Sequence, residues 1–385
     1  MLWPEVQQSW LLPRQRPLRQ TVAAAGLLAE YRGQHIAVKK VRKDTHPNVD
    51  RAAQTYYLLP VHSNIVTLYD WREDVDYVCL QEELCSLPFT ALLHPPRGWP
   101  HLWDASGHAK PQCYQVLQDV VQGICHLHNN KLVLGSLPPS RIMVTDALEG
   151  RICGIENCHK IPSGRDYVDI VSTGGSRAWS SPEQDKPAGQ RCSIDESSNT
   201  FLCGLVAHYM VSGGHHPFGD VGGRTEKMRK GLIELHSTLK EHNSALARNL
   251  IMAMLRQNPA DRPSLTACLA HPVFWAPKRC LDFLIEFSAW LEHAAAPWQQ
   301  QAVEGLASDV FRGGWDQRLD GDLLDNLETH RWYDYGSLRQ LLQAIRNKVV
   351  HHRELPHVLR QTLGECPDGY WSTRMRSTTS GYQVT

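Results

Sequence analysis

The pattern of apolar and polar positions changes character twice along this chain. Near the start, 35–41 (His-Ile-Ala-Val-Lys-Lys-Val) and 75–82 (Val-Asp-Tyr-Val-Cys-Leu-Gln-Glu) are short β-branched and aromatic runs that predict strands. Residues 49–59 between them read as a helix. From Tyr114 to His128 the apolar positions Val116, Leu117, Val120, Val121, Ile124 and Leu127 recur at helical spacing and form one stripe. The stretch Phe201 to Val211 is apolar all round, as a buried helix is. Strands first and helices after predict an α+β body in which a small sheet lobe precedes a helical lobe. Beyond Trp275-Ala276-Pro277 the pattern is nearly pure helix, with segments at 281–293, 298–311, 320–328, 337–348 and 354–364. A domain boundary is expected around 275–278, and the tail after Trp371, rich in Ser, Thr and Arg, reads as loose.

Composition narrows the function classes. The chain has 385 residues, enough for two to three domains by length alone. Forty Lys and Arg balance forty Asp and Glu, so no global field draws the chain to nucleic acid or membrane, and an anionic partner needs a local patch. A 42% hydrophobic and 21% charged composition is that of a globular protein rather than a disordered one. Eleven cysteines without a Cys-x-x-Cys pair suggest free thiols in a reducing compartment, which makes a cytoplasmic location the expectation. The paired histidines His215-His216 and His351-His352 lack the i, i+4 spacing that sets two ligands on one helix face, so no metal site is expected. The N-terminus shows no charged region followed by an apolar run. The best apolar run, 201–211, is interrupted by Gly204 and His208 and is too short to span a bilayer.

Ordered landmarks over 20–274 resemble the protein-kinase family. Ala37-Val38-Lys39 looks like the strand motif whose Lys pairs with nucleotide phosphates. Glu83-Leu84-Cys85 falls at the hinge, Ser181-Pro182-Glu183 at the Ala-Pro-Glu element, and Asp261-Arg262-Pro263 at the Arg motif that braces the helical lobe. The resemblance implies a bilobal fold. The phosphoryl-transfer groups depart from it: His-Arg-Asp aligns with Leu134-Gly135-Ser136, the metal-binding Asn with Arg141, and Asp-Phe-Gly with Gly154-Ile155-Glu156. The stretch Thr21 to Gly33 lacks a Gly-x-Gly-x-x-Gly cradle, and the helix Glu that should pair with Lys39 falls on Ala52. Kinase activity is therefore expected to be absent, since positioning and charge neutralisation carry that reaction. Lys39 stands either as a residual contact to ATP or ADP, with Glu83 and Cys85 as hinge contacts, or as a structural lysine.

The block after His271-Pro272-Val273-Phe274-Trp275, taken as 277–385, resembles the kinase-extension nuclease family, which includes the unfolded-protein-response sensor kinase/endoribonucleases and ribonuclease L. Tyr333 through Lys348 and His351-His352-Arg353-Glu354-Leu355-Pro356 carry the resemblance, which extends through Thr362-Leu363-Gly364. Without the family, Leu338, Leu341, Leu342 and Ile345 already form an i, i+3, i+4, i+7 stripe that anchors a helix on a core. Arg346 and Asn347 end that helix, and His351 follows about one turn on. An Arg, an amide, a phenol and an imidazole with no carboxylate cluster for Mg²⁺ suit metal-free cleavage of RNA, whose 2′-hydroxyl is a built-in nucleophile. In this scheme His351 gives a proton to the leaving 5′-oxygen, Arg346 holds the phosphorane charge and Asn347 orients the phosphate or His351. Tyr333 contacts the phosphate or assists removal of the 2′ proton. No cofactor is required for such cleavage.

The bland alternative is that His351-His352 and Arg353-Glu354 are a solvated helix start and Arg346 a helix-end cation. Gln340 replaces the family's usual Asp, and the chain stops near where members continue into a further helix. The resemblance implies an RNA substrate and activation by pairing, as a homodimer or as a heterodimer with a related nuclease. It also implies a location at the cytosolic face of the endoplasmic reticulum, if the chain is a fragment of a membrane-anchored protein. A non-enzymatic regulator that pairs with an active relative, or a nucleotide-binding sensor, is the competing reading.

Overall fold

The structure, a computed structural model, describes residues 26–31, 33–44, 49–93, 101–155, 158–172, 178–241, 244–311, 313–329 and 331–363. Its chain divides into two units, one holding the residues up to 240 and from 246 to 274, the other 241–245 and those from 275 on. A mixed first unit followed by a helical second one is the expected α+β arrangement.

The first unit opens on a four-stranded antiparallel sheet. Its strands are β1 (Gly26–Tyr31), β2 (Gln34–Arg42), β3 (Leu68–Glu73) and β4 (Tyr77–Glu83), in the spatial order β1-β2-β4-β3. In the β2/β4 register Ala37 lies opposite Glu82 and Lys39 opposite Leu80. Directly paired residues share a sheet face, so these four look the same way. Helix α1 (Val49–Tyr57) covers the sheet with Val49, Ala53 and Tyr56, one apolar edge at i, i+4, i+7. The Tyr56 hydroxyl donates to the Val66 carbonyl and ties the helix to the strand that follows.

Helix α2 (Pro111–Asn129) begins on a proline at its first turn and buries the predicted stripe. Its Gly123 is needed for approach: a Cβ there lies 2.8 Å from the Asn64 carbonyl oxygen. Asn64 in turn donates to the Gly150 carbonyl at 3.1 Å and accepts from the Ile152 amide at 2.9 Å, which pins the end of the sheet lobe to the helical lobe. The helical lobe also holds short strands that no periodicity announces. These are β5 (Leu87–Pro88), β6 (Leu132–Leu134), β7 (Ile142–Val144), β8 (Gly150–Ile152), β9 (Cys158–Lys160), β10 (Tyr167–Val171) and β11 (Arg191–Asp195). They form one three-stranded and two two-stranded sheets.

Helix α3 (Glu196–Val211) is buried on nearly every side, as its composition predicts, and is started by a capping box between Asp195 and Ser198. Helices α4 (Arg224–Lys230), α5 (Ser237–Lys240), α6 (Ala245–Met254) and α7 (Leu265–Leu269) complete the unit. A buried Arg262 ties it together. Its guanidinium makes a bidentate pair with Glu183 at 2.9 and 3.0 Å, donates to three carbonyls and lies 4.9 Å from the Phe201 ring centroid.

The second unit contains α8 (Pro277–His293), α9 (Pro297–Glu304), α10 (Ala307–Val310), α11 (Gly321–Glu328), α12 (Leu338–Val350) and α13 (His357–Leu363). The segment read as one helix over 298–311 is broken at Gly305, where the backbone stops propagating and a second short helix starts. The helix expected from 354 starts only after Pro356, preceded by a 3₁₀ turn over His352–Glu354, because the residue before a proline avoids the helical region. Leu281, Phe311, Trp315, Leu327, Tyr333 and Ile345 belong to its core.

No described helix is long and apolar enough to cross a membrane. Among the described residues no group of three His, Cys, Asp or Glu could hold a metal ion, and the described cysteines are not joined in disulfides. Cys366, Gly364, the tail after Trp371 and most of Thr21 to Gly26 lie outside the described residues.

Candidate functional site

In the second unit the site is organised by α12. Its first turn is capped twice: the Ser337 hydroxyl accepts from the Gln340 amide, and the Glu304 carboxylate accepts from the Ser337 hydroxyl at 2.7 Å, the Leu338 amide at 3.0 Å and the Arg339 amide at 3.3 Å. A carboxylate at that end also meets the positive pole of the helix. Leu342, Ala344 and Ile345 are buried, and Leu338 and Leu341 pack beside them, so the predicted stripe fixes the rotation of the helix. That rotation decides where the last turn sends its polar side chains.

Two side-chain contacts mark its end. The Asn347 side-chain amide donates to the Tyr333 hydroxyl at 3.1 Å. Tyr333 is 3% exposed, seated edge-on against Trp315 at 6.0 Å between centroids, with the Arg331 guanidinium 5.7 Å from its ring. The Arg346 guanidinium lies with Nη1 at 2.6 Å from Glu292 on α8. That hydrogen bond holds the Glu292 carboxyl below the usual carboxylate range. Glu292 also accepts from Gln343, one turn earlier on α12, at 2.9 Å.

His351 occupies the C-cap of α12, its backbone N–H bonded to the Asn347 carbonyl at 3.0 Å. Its side chain is 58% exposed, with Nδ1 at 3.1 Å from a Glu354 oxygen. A carboxylate only accepts, so this contact assigns a proton to Nδ1 and leaves Nε2 to exchange one with a ligand. Asn347 thus orients Tyr333 by its side chain, while Glu354 orients the His351 ring.

Reasoning from the sequence did not reach Glu292, Gln343 or Glu354. Glu354 stands at i+3 from His351 and was open to detection by helical spacing, whereas Glu292 comes from another helix. It also passed over Lys348, whose buried ammonium donates to the Asn326 side chain at 2.5 Å and backbone at 3.2 Å, and whose pKa is lowered by burial. Gln340 keeps an orienting contact, accepting from the Asp334 amide at 2.8 Å beside Tyr333.

The cleft of the first unit is arranged otherwise. Lys39 is half-buried on β2. Glu83, at the hinge, is paired with Arg151 of β8 and accepts from the Thr67 amide at 3.2 Å. Cys85 is buried, and burial with the nearby Glu83 charge pushes its thiol up to about 12. Arg141 and Gly154, which the resemblance to kinases sets at the family's metal-binding positions, meet directly: the guanidinium donates to the Gly154 carbonyl at 3.1 Å. Gly154 has φ +76° and no side chain, and a Cβ there would meet Arg141 atoms from 3.1 Å outward. The segment before β6's loop is tied to α3, with Asn199 bonded to both backbone groups of Leu134 at 2.7 and 2.9 Å. Glu156, two residues beyond Gly154 in sequence, lies outside the described residues.

Comparison with known proteins defines the class. Residues 24–274 match the protein kinase domain and 280–376 the ribonuclease 2-5A domain, so the chain belongs to the family in which a protein kinase domain is followed by this nuclease domain. Among its relatives, the serine/threonine-protein kinase/endoribonuclease IRE1 of Oryza sativa subsp. japonica is 30% identical over 359 residues, 89% of this chain and 39% of the relative. The serine/threonine-protein kinase/endoribonuclease IRE2 of Homo sapiens is 31% identical over 354 residues, 89% and 37% respectively. The sensor for unfolded proteins in the ER of Schizosaccharomyces pombe is 27% identical over 374 residues, 89% and 34%. The chain spans less than half the length of these relatives.

Proposed function

We propose that this chain is an endoribonuclease that cleaves RNA without a metal ion, carried on a kinase-like unit that serves as a pairing scaffold and transfers no phosphate. The observation that carries the reading is the end of α12, whose last turn and C-cap carry Arg346, the Tyr333–Asn347 pair and an exposed His351 ring braced by Glu354.

In the mechanism, the substrate's 2′-oxygen attacks the adjacent phosphorus in line and loses its proton to the Tyr333 side or to solvent. Charge builds on the phosphorane oxygens and is held by the Arg346 guanidinium fork. The P–O5′ bond then breaks as protonated His351 delivers a proton to the 5′-oxygen. The products are a 2′,3′-cyclic phosphate and a 5′-hydroxyl. Asn347 fixes the Tyr333 hydroxyl, and Glu354 fixes the imidazole ring, so neither has to be ordered during the reaction.

The loss of phosphoryl transfer rests on Arg141. A guanidinium against the Gly154 carbonyl puts positive charge where a divalent cation needs carboxylate and amide oxygens. No cofactor is needed for RNA cleavage, and residual ATP or ADP at Lys39, Glu83 and Cys85 is not required by the scheme. Pairing with a second copy or with a related nuclease is part of the proposal, as is action at the cytosolic face of the endoplasmic reticulum, which is supported by one relative being named a sensor for unfolded proteins in the ER.

The test is incubation of the purified protein with a stem-loop RNA, alone and under forced dimerisation, with and without EDTA. Cleavage that survives EDTA and ends in a 2′,3′-cyclic phosphate is expected, and His351→Ala should slow it about 10²–10⁴-fold, the usual contribution of a general acid. No cleavage in either state would leave the chain as a non-enzymatic partner of an active relative.

A further inference from the structure

We infer that Glu292 is the positioning residue of the Arg346 guanidinium, so that the nuclease site is built across α8 and α12 rather than on the α12 end alone. This rests on the reading of Arg346 as the phosphate-binding cation. Glu292 sits at the last turn of α8, and its two carboxylate oxygens receive Gln343 at 2.9 Å and Arg346 at 2.6 Å. Those donors are three residues apart on one face of α12, so a single carboxylate clamps two successive side chains of that helix.

The clamp has a direction. The Arg346 contact uses Nη1, and the fork formed by Nε and Nη2 has no partner among the described residues. A guanidinium offers five N–H donors in a rigid plane, so seating one edge aims the other. The Arg346 side chain is 18% exposed and that of Glu292 38%, so the pair is part-buried and not sealed in the core. An unclamped arginine carries rotamer entropy that must be lost when it meets a phosphorane. Glu292 removes that loss before substrate arrives, the form of pre-organisation that acts on the transition state.

The carboxylate is not a plug in the phosphate site. It is held by Gln343 as well as by Arg346, and its departure strands an amide donor as well as the guanidinium. The Arg346 hydrogen bond also holds its carboxyl below the ordinary range, so the clamp stays closed through the neutral pH at which an imidazole acid works.

Glu292→Gln and Glu292→Asp, each alone and in the Arg346→Ala background, test this in the full chain. Glu292→Gln is expected to lower kcat about 10- to 100-fold with KM within about twofold, as removal of a transition-state interaction does. Glu292→Asp recovers part of the loss, and in the Arg346→Ala background Glu292→Gln costs almost nothing more, the non-additivity of two groups acting as one. A merely structural role would lower activity by the same factor in both backgrounds. The Arg346 Nη–H resonances give an independent reading: they are expected to be distinct and slow in exchange and rotation in the parent and to collapse toward free arginine in Glu292→Gln. A Glu292→Gln protein that cleaves as fast as the parent, or whose Arg346 resonances are unchanged, overturns the inference. If the parent cleaves no RNA but the resonances still collapse, the positioning stands and the nuclease reading falls.

Discussion

The two units treat their charged side chains in opposite ways. In the kinase-like cleft the charges are consumed internally, with Glu83 against Arg151 and Arg141 against the Gly154 carbonyl. At the end of α12 they are braced but left with a working edge: His351 is tied by one nitrogen and Arg346 by one of three. A side chain whose donors and acceptors are all satisfied within the chain holds a fold together, while one that is oriented and half satisfied is ready for a ligand. On the proposed reading the first unit serves shape and the second chemistry. Substitutions in the first should therefore register in stability and those in the second in rate.

The largest expected effect is on Arg262. Its side chain is fully buried and bidentate to Glu183, whose carboxyl is raised by burial but lowered further by this partner. Arg262→Ala leaves the Glu183 charge without its counter-ion and should cost about 3–5 kcal/mol, the usual result of breaking a buried pair from one side. Denaturant unfolding of the first unit measures it. A loss under about 1 kcal/mol, the range of surface pairs, would show that the brace is not structural.

Acid should come next, again through the first unit. The His208 ring donates from Nδ1 to the His215 carbonyl and accepts the His236 amide at Nε2, and His216 donates to the Ala178 carbonyl while accepting the Phe218 amide. Both rings are thus committed to the neutral form, and burial lowers each to about 4. The unfolded chain binds these protons first, so the stability they contribute is present above about pH 6.5 and is lost as pH falls toward 4. At pH 5 the loss should be about 2 kcal/mol per histidine. Thermal unfolding at pH 7 and 5 checks this, and a first unit equally stable at both would remove the claim.

Smaller is the expected effect of Tyr333→Phe in the second unit. It deletes the acceptor of the Asn347 amide while keeping the buried ring against Trp315. Cleavage should fall about tenfold, with about 0.5–1.5 kcal/mol lost in stability, the net worth of one hydrogen bond. A rate unchanged with the hydroxyl gone would move Tyr333 from the site to the core, where its 3% exposure already puts its ring.

Much of this contrast was legible in the sequence, and the illegible part has one physical cause. The stripe through Leu338, Leu342 and Ile345 predicted α12, and with it the placing of Arg346, Asn347 and His351, because helical spacing is a local property. Leu134-Gly135-Ser136 and Gly154-Ile155 are departures from the kinase motifs that a local reading of the sequence finds for the same reason. What could not be read were contacts between distant segments: Glu292 with Arg346, Arg141 with Gly154, and the two- to five-residue strands of the helical lobe. Such strands exist only because a partner is present, and no period of 2 can declare itself over two or three residues.

The smallest expected effect is the one that tests the contrast from its other side. If the kinase-like cleft is closed on itself, Mg²⁺ with ATP should raise the melting temperature of the first unit by less than about 1 °C. A nucleotide at a hundred times its Kd contributes about 2.7 kcal/mol, which in a domain of this size is about 5–10 °C, so the two outcomes are well separated. Arg141→Asn restores the amide that the family uses as a metal ligand and removes the guanidinium from Gly154. It is still expected to leave the shift near zero, because Gly154 offers no carboxylate and a divalent cation held by one side chain does not shed enough water to bind tightly. A shift of several degrees in the parent would show that Lys39 still meets phosphate. A shift that appears only in Arg141→Asn would mean that the guanidinium alone keeps the metal out, and the cleft would then be blocked by one side chain rather than dismantled.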